Sequence, residues 1–233
     1  MARRRSTARK ILAQKAVHVS SSSETLYAKR KAAGWLLAVL DKGADMDASF
    51  FECLEWLLGG LGPLLEEVRQ TSAKLRSKAG RAAHEAVTLA LAAPKRRHHH
   101  ECEELIEEHP CMQDIFADKV SALLTAMEPD EAAVPGFFEH ARGGLEEVFG
   151  LESEALELCE FAFLLQHFSP IECYFEDRLS VFRLCNRHYL ARMFGLPEAR
   201  LARRIRELES FGFFKDAYSD SFRLAEELLA FWS

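Results

Sequence analysis

An all-α fold follows from three features of the 233-residue sequence. Apolar residues recur at helical spacing through most of the chain, and no stretch alternates regularly enough to predict a sheet. Pro and Gly number only 7 and 12, so long uninterrupted helices are allowed. Where they occur, they fall between the periodic stretches as punctuation. The prediction is a mainly helical body with at most one small β-hairpin.

The N-terminal segment, residues 1–23, reads MARRRSTARKILAQKAVHVSSSS, with no acid and no continuous apolar run. It reads as a basic, disordered arm. An Arg-rich, Ser-rich, acid-free composition also suits a nucleic-acid-touching tail or a transit-type targeting segment.

Residues 24–150 read as a helical domain. The serine run Ser20–Ser23 supplies a cap for a helix from about Glu24, with Trp35, Leu36, Val39 and Leu40 on its apolar face. Gly43 and Asp45 break it. A second helix from about Asp47 turns Phe50, Phe51, Leu54 and Leu57 inward and ends at Gly59-Gly60. Pro63 opens a third, long helix to about Ala92, where Gly80 is the expected kink and Pro94 the stop. The stretch Lys95–His100 is expected as an exposed linker. Helices follow at Glu101–Glu108, Gln113–Met127 and Phe137–Phe149, separated by Pro110, Pro129, Pro135 and Gly150.

Hydrophobic density rises after Leu151, which places a boundary near Gly150 and a second unit over residues 151–233. Phenylalanines cluster there at Phe161, Phe163, Phe168 and Phe175.

Composition narrows the function classes. Hydrophobic residues at 48% and charged residues at 28% describe an ordinary globular chain. The six cysteines have no regular spacing, and a chain this long does not need disulfides, so reduced thiols in a cytoplasmic protein are expected. No apolar run approaches the ~20 residues that span a bilayer, so no membrane partner is expected. The net charge is −6, but nine Lys/Arg and one acid, Glu24, lie in residues 1–31, leaving 21 bases against 35 acids in the remainder. Such a body disfavours polyanions, so nucleic-acid contact must come from a local basic patch.

Catalytic signatures are absent from the sequence. Gly59-Gly60-Leu61-Gly62 lacks the Lys-Ser/Thr that would complete a phosphate loop, and neither GxGxxG nor GxSxG occurs. His98, His99, His100, Cys102, His109 and Cys111 crowd together, but their spacing is irregular and acids interrupt them. They read as a solvated loop and a helix start, and no metal or other cofactor is expected.

The sharpest signal is residues 186–214, NRHYLARMFGLPEARLARRIRELESFGFF, which parses as a helix-turn-helix. A helix over Asn186–Met193 presents Tyr189, Leu190 and Met193 to the core. Gly195 makes the tight turn, Pro197 opens the second helix, and Glu198 suits its positive first turn. Leu201, Ile205 and Leu208 form the second helix's buried stripe, leaving Arg200, Arg203, Arg204 and Arg206 mainly on its remaining surface. Gly212 then ends it before a short strand at Phe213-Phe214. Between Arg187 and Lys215 there are seven bases and three acids. Arg187, Arg200, Arg203, Arg204, Arg206 and Lys215 are therefore the candidate nucleic-acid contacts, through guanine edges or phosphates. The competing reading is that the arginines solvate a packed helix and pair with Glu207, Glu209 or more distant acids.

These residues, with LESEALELCEFAFLLQHF before them and SDSFRLAEELLAFW after them, resemble the helical and winged-helix segment that precedes the ATPase core in bacterial AAA-type ATPases. The resemblance rests on Gly195-Leu196-Pro197, the helix Leu201–Leu208, Ser210-Phe211-Gly212 and Leu228-Leu229. It implies a non-catalytic recognition or regulatory region serving an AAA-type ATPase domain, as part of one chain or as a partner. No Walker motif is present in this sequence. The alternative is a stand-alone winged-helix regulator that binds duplex DNA as a homo-oligomer, and an enzyme of unfamiliar site is the third reading.

Overall fold

The computed structural model describes residues 22–40, 46–93, 98–127, 134–176, 184–214, 224–225, 228 and 232. The basic arm, most of the serine run, and Lys215 lie outside them. Among the described residues the fold is all-α, with eleven α-helices and one isolated antiparallel bridge, Phe214 to Leu224. None of the described helices is long and apolar enough to cross a membrane.

Helix α1 (Ser22–Leu40) buries Ala28, Ala32, Trp35, Leu36 and Val39, one apolar stripe repeating at helical spacing. In α2 (Ala48–Leu58) the cap is Asp47, whose carboxylate accepts from Phe50 N at 2.9 Å. Gly59 closes α2 in the left-handed region, at φ 73°.

The long helix expected from Pro63 to Ala92 is two helices, α3 (Gly62–Ser72) and α4 (Lys78–Ala92), packed on each other. The break falls before Gly80, not at it. Lys74 N and Leu75 N bond back to Thr71 O and Ser72 O, and Ser77 then caps α4 by accepting from Gly80 N at 2.9 Å. Gly80 serves as room: a Cβ there would lie 2.4 Å from Leu75 Cβ.

The exposed linker expected through His100 is also corrected. Helix α5 (His98–Glu108) starts at His98, whose ring is buried with Nε2 3.3 Å from Ala93 O. A 3₁₀ turn (Pro110–Met112), α6 (Gln113–Ala126) and α7 (Gly136–Phe149) follow close to expectation.

Helix α8 (Ser153–His167) is central. From Ala155 to Leu165 all but Glu157 are buried, the mark of a helix surrounded by others. The remaining helices are α9 (Ser169–Glu176), α10 (Leu184–Met193) and α11 (Glu198–Ser210). Contacts span Gly150: α1 packs on α10, α2 on α9, and the buried residues form one hydrophobic core. Aromatic pairs knit it, with Trp35 edge-on to Phe161 at 4.5 Å and Trp232 stacked on Phe163 at 4.6 Å.

Candidate functional site

The helix-turn-helix forms as its local sequence dictates. Gly195 takes φ 64°, letting Leu196 N bond Ala191 O at 2.8 Å and Gly195 N bond Arg192 O at 3.2 Å. That pair of bonds closes α10 in a Schellman motif, and Pro197 starts α11 at once. The same device ends α11: Gly212 has φ 75°, and Phe213 N bonds Leu208 O at 3.0 Å. Phe213 O then accepts from Ala225 N at 2.8 Å beside the Phe214–Leu224 bridge. The short strand expected at Phe213-Phe214 is thus a single antiparallel bridge.

In α11, Leu201, Ile205 and Leu208 are buried as the periodicity predicts. The arginines divide. Arg204, expected on the surface, has a side chain only 5% exposed and is surrounded by carboxylates. Its Nε lies 3.1 Å from Glu154 Oε2, its NH1 2.8 Å from Glu207 Oε2, and its NH2 bonds Glu152. With each guanidinium nitrogen on a carboxylate and the side chain 5% exposed, Arg204 is turned into the fold instead of being presented to a base or phosphate, contrary to expectation. Arg200 is half committed: it is exposed, but its Nε is 2.8 Å from Glu154 Oε1.

Arg203 and Arg206 lie on the outer stripe with Ala199 and Ser210, all exposed. Arg206 Nε bonds Ala202 O at 3.1 Å, within its own helix. Arg187 is half-buried on α10, and Lys215 lies outside the described residues. His188 Nδ1 and Glu198 Oε1 meet at 2.6 Å across the turn.

The sequence reading missed Glu152 and Glu154, which the start of α8 carries to the flank of α11. Four arginines of α11 therefore share their surroundings with five carboxylates: Glu152, Glu154, Glu198, Glu207 and Glu209. Around α11 itself the carboxylates thus outnumber the arginines, and the excess of positive charge counted along residues 187–215 is halved by Glu152 and Glu154.

A second charged cluster lies inside the core. Glu160, only 1% exposed, accepts from the Tyr27 hydroxyl at 2.6 Å. Lys31 Nζ is 3.5 Å from its Oε1 and Arg142 NH1 is 3.6 Å from its Oε2. Burial first, and the Glu160 charge second, push the Tyr27 phenol above its usual range. The one charged residue in the apolar run Leu158–Leu165 was the available signal for this cluster.

Of the crowded histidines and cysteines, His98 bonds backbone, His99 sits 3.4 Å from Glu55, Cys102 is buried and Cys111 is exposed. Among the described residues no three His, Cys, Asp or Glu side chains form a metal-sized group. Ser72 Oγ and His84 Nδ1 are 3.0 Å apart, but Ser72 is fully buried and also bonds Arg69 O at 2.9 Å. Comparisons with known protein families, with curated proteins and with solved structures find no match to this chain.

Proposed function

We propose that this chain is a non-catalytic recognition and regulatory region whose docking element is the outer face of α11, and whose partner is a protein. The observation that carries this reading is the burial of Arg204 among Glu152, Glu154 and Glu207. It makes the most central arginine of the helix a strut to α8 and brings acids to the helix flank. A duplex draws its affinity largely from several phosphate contacts, and this face offers only Arg203 and Arg206 unopposed by a carboxylate within ion-pair distance among the described residues. A protein surface asks less: small Ala199 and Ala202 allow close approach, and the two arginines suit an acidic or aromatic counterpart. The resemblance to the region before an AAA-type ATPase core makes such an ATPase domain the proposed partner. The second reading, a winged-helix regulator of duplex DNA, is favoured by one observation: Arg203 and Arg206 are exposed on the second helix of a helix-turn-helix that runs into a β-bridge.

One titration separates the two. Mixed-sequence duplex DNA is followed by fluorescence anisotropy over a salt series, with wild type and an Arg203→Glu/Arg206→Glu double variant. Weak binding that the double variant retains supports protein docking. Salt-steep binding that the double variant loses would replace it with the DNA reading. A photo-crosslinker at Ser210 in the expressing cell gives the positive arm: the expected adduct is an ATPase, lost with the double variant.

A further inference from the structure

The C-terminal ends of α7 and α11 meet. Phe149 and Phe211 have ring centroids 5.7 Å apart, and Phe213 lies 4.9 Å from Phe149. Beside them Val148 is 62% exposed and Phe211 45% exposed, two of the most exposed large apolar side chains among the described residues. The residues next to these in the chain are acidic: Glu146 and Glu147 are exposed and Glu209 is half-buried, whereas the exposed Glu152 is already held by Arg204. Both helices direct their negative ends here, and neither carries a basic residue in its last turn. An occupant must therefore be apolar and strongly basic.

The chain contains such a segment. Residues 1–21 hold six Lys/Arg and no Asp/Glu, and Ala8, Ile11, Leu12, Ala16 and Val19 recur at the spacing of one helix face. Reach is no obstacle. Tyr27, near the start of α1, packs on Phe138 of α7 at 4.6 Å, and Val148 is ten residues along that same helix, or about 15 Å at the helical rise. Ten extended residues span roughly 33 Å. A second copy of the patch would bring like charges together, and tethering gives the arm an effective concentration that a free partner lacks.

We propose that the patch of Val148, Phe149 and Phe211 is the docking site of the chain's own basic N-terminal segment, residues 1–21, through Ile11 and Leu12. The docked arm would cover the apolar end of α11. This goes beyond the proposed recognition role and does not depend on the identity of the partner.

The test is hydrogen–deuterium exchange of the full chain, read by mass spectrometry on peptides from residues 1–21. Amides of Ile11–Val19 are expected to exchange about tenfold more slowly than in an Ile11→Asp/Leu12→Asp variant. Val148→Asp, at an exposed position that leaves the fold intact by circular dichroism, is expected to abolish the same protection. So is high salt, which screens the neighbouring carboxylates. Arm amides at free-peptide rates in the wild type would overturn the proposal, as would protection that survives Val148→Asp. Protection that weakens on dilution would also overturn it, by assigning the site to the arm of a second copy.

Discussion

Arg204 of α11 and Glu154 of α8 face each other across the interface of the two helices, Nε 3.1 Å from Oε2, with side chains 5% and 15% exposed. Fifty residues separate them in sequence. The pair fixes where the helix-turn-helix sits on the central helix, and it divides the arginines of α11 into one that holds the fold and others that face outward.

That division is measurable as stability. Arg204→Ala leaves Glu152 and Glu207 without their shared cation and Glu154 with Arg200 alone, and a loss of about 3 kcal/mol is expected in urea unfolding. Arg203→Ala, at an exposed position, should stay within about 0.5 kcal/mol of wild type. Equal losses for the two variants would contradict the strut assigned to Arg204. Pairing Arg204→Leu with Glu154→Leu should recover part of the loss, because the uncompensated charge goes with its partner.

Glu160 carries a similar prediction in the core. Tyr27→Phe removes the hydroxyl that bonds Glu160 at 2.6 Å and should cost about 1–2 kcal/mol. Glu160→Ala also takes the carboxylate from Arg142 and leaves Lys31 only Glu157, and should cost more, about 3 kcal/mol. A double-mutant cycle on Tyr27 and Glu160 should give a coupling of about 1 kcal/mol or more, whereas additivity would show that the bond contributes nothing.

The pH dependence near neutrality should carry a contribution from His167. Burial lowers its pKa below the ordinary imidazole value, against the opposing influence of the bond from its ring to Phe163 O at 2.8 Å. The unfolded chain then takes up a proton as pH falls through the ordinary value near 6.5, while the folded chain resists. Stability from this group is therefore complete above that value and lost as pH drops towards the folded pKa. Urea midpoints measured on both sides of it should converge in His167→Phe, and an unchanged pH slope in that variant would exclude the assignment.

Gly80 gives a prediction opposite in sign to helix propensity. Alanine in the first turn of a helix is normally favoured over glycine, yet a Cβ at position 80 would press on Leu75 Cβ at 2.4 Å. Gly80→Ala is expected to destabilise by about 1–3 kcal/mol in thermal or urea unfolding. A double-mutant cycle of Gly80→Ala with Leu75→Gly tests the cause: removing the Leu75 Cβ should relieve part of the loss, and additive losses would exclude the clash.

The amino-acid sequence determined what depends on neighbours along the chain. Gly195 and Pro197 dictate the tight turn, Gly59, Gly150 and Gly212 the left-handed helix ends, and Leu201, Ile205 and Leu208 the buried stripe of α11. Each follows from backbone conformations or a 3.6-residue period that a few adjacent residues settle. The break at Ala73–Ser77 was less legible, because it contains neither Gly nor Pro and is held by turn bonds and the packing of α3 on α4. Only the tertiary structure decided the fate of the charges. Glu152 and Glu154 reach Arg204 and Arg200 from α8, and Tyr27 reaches Glu160 from 133 residues away. Electrostatic neutralisation acts over ångströms in space, and one-dimensional counting over residues 187–215 could not register the two carboxylates that α8 brings to the flank of α11.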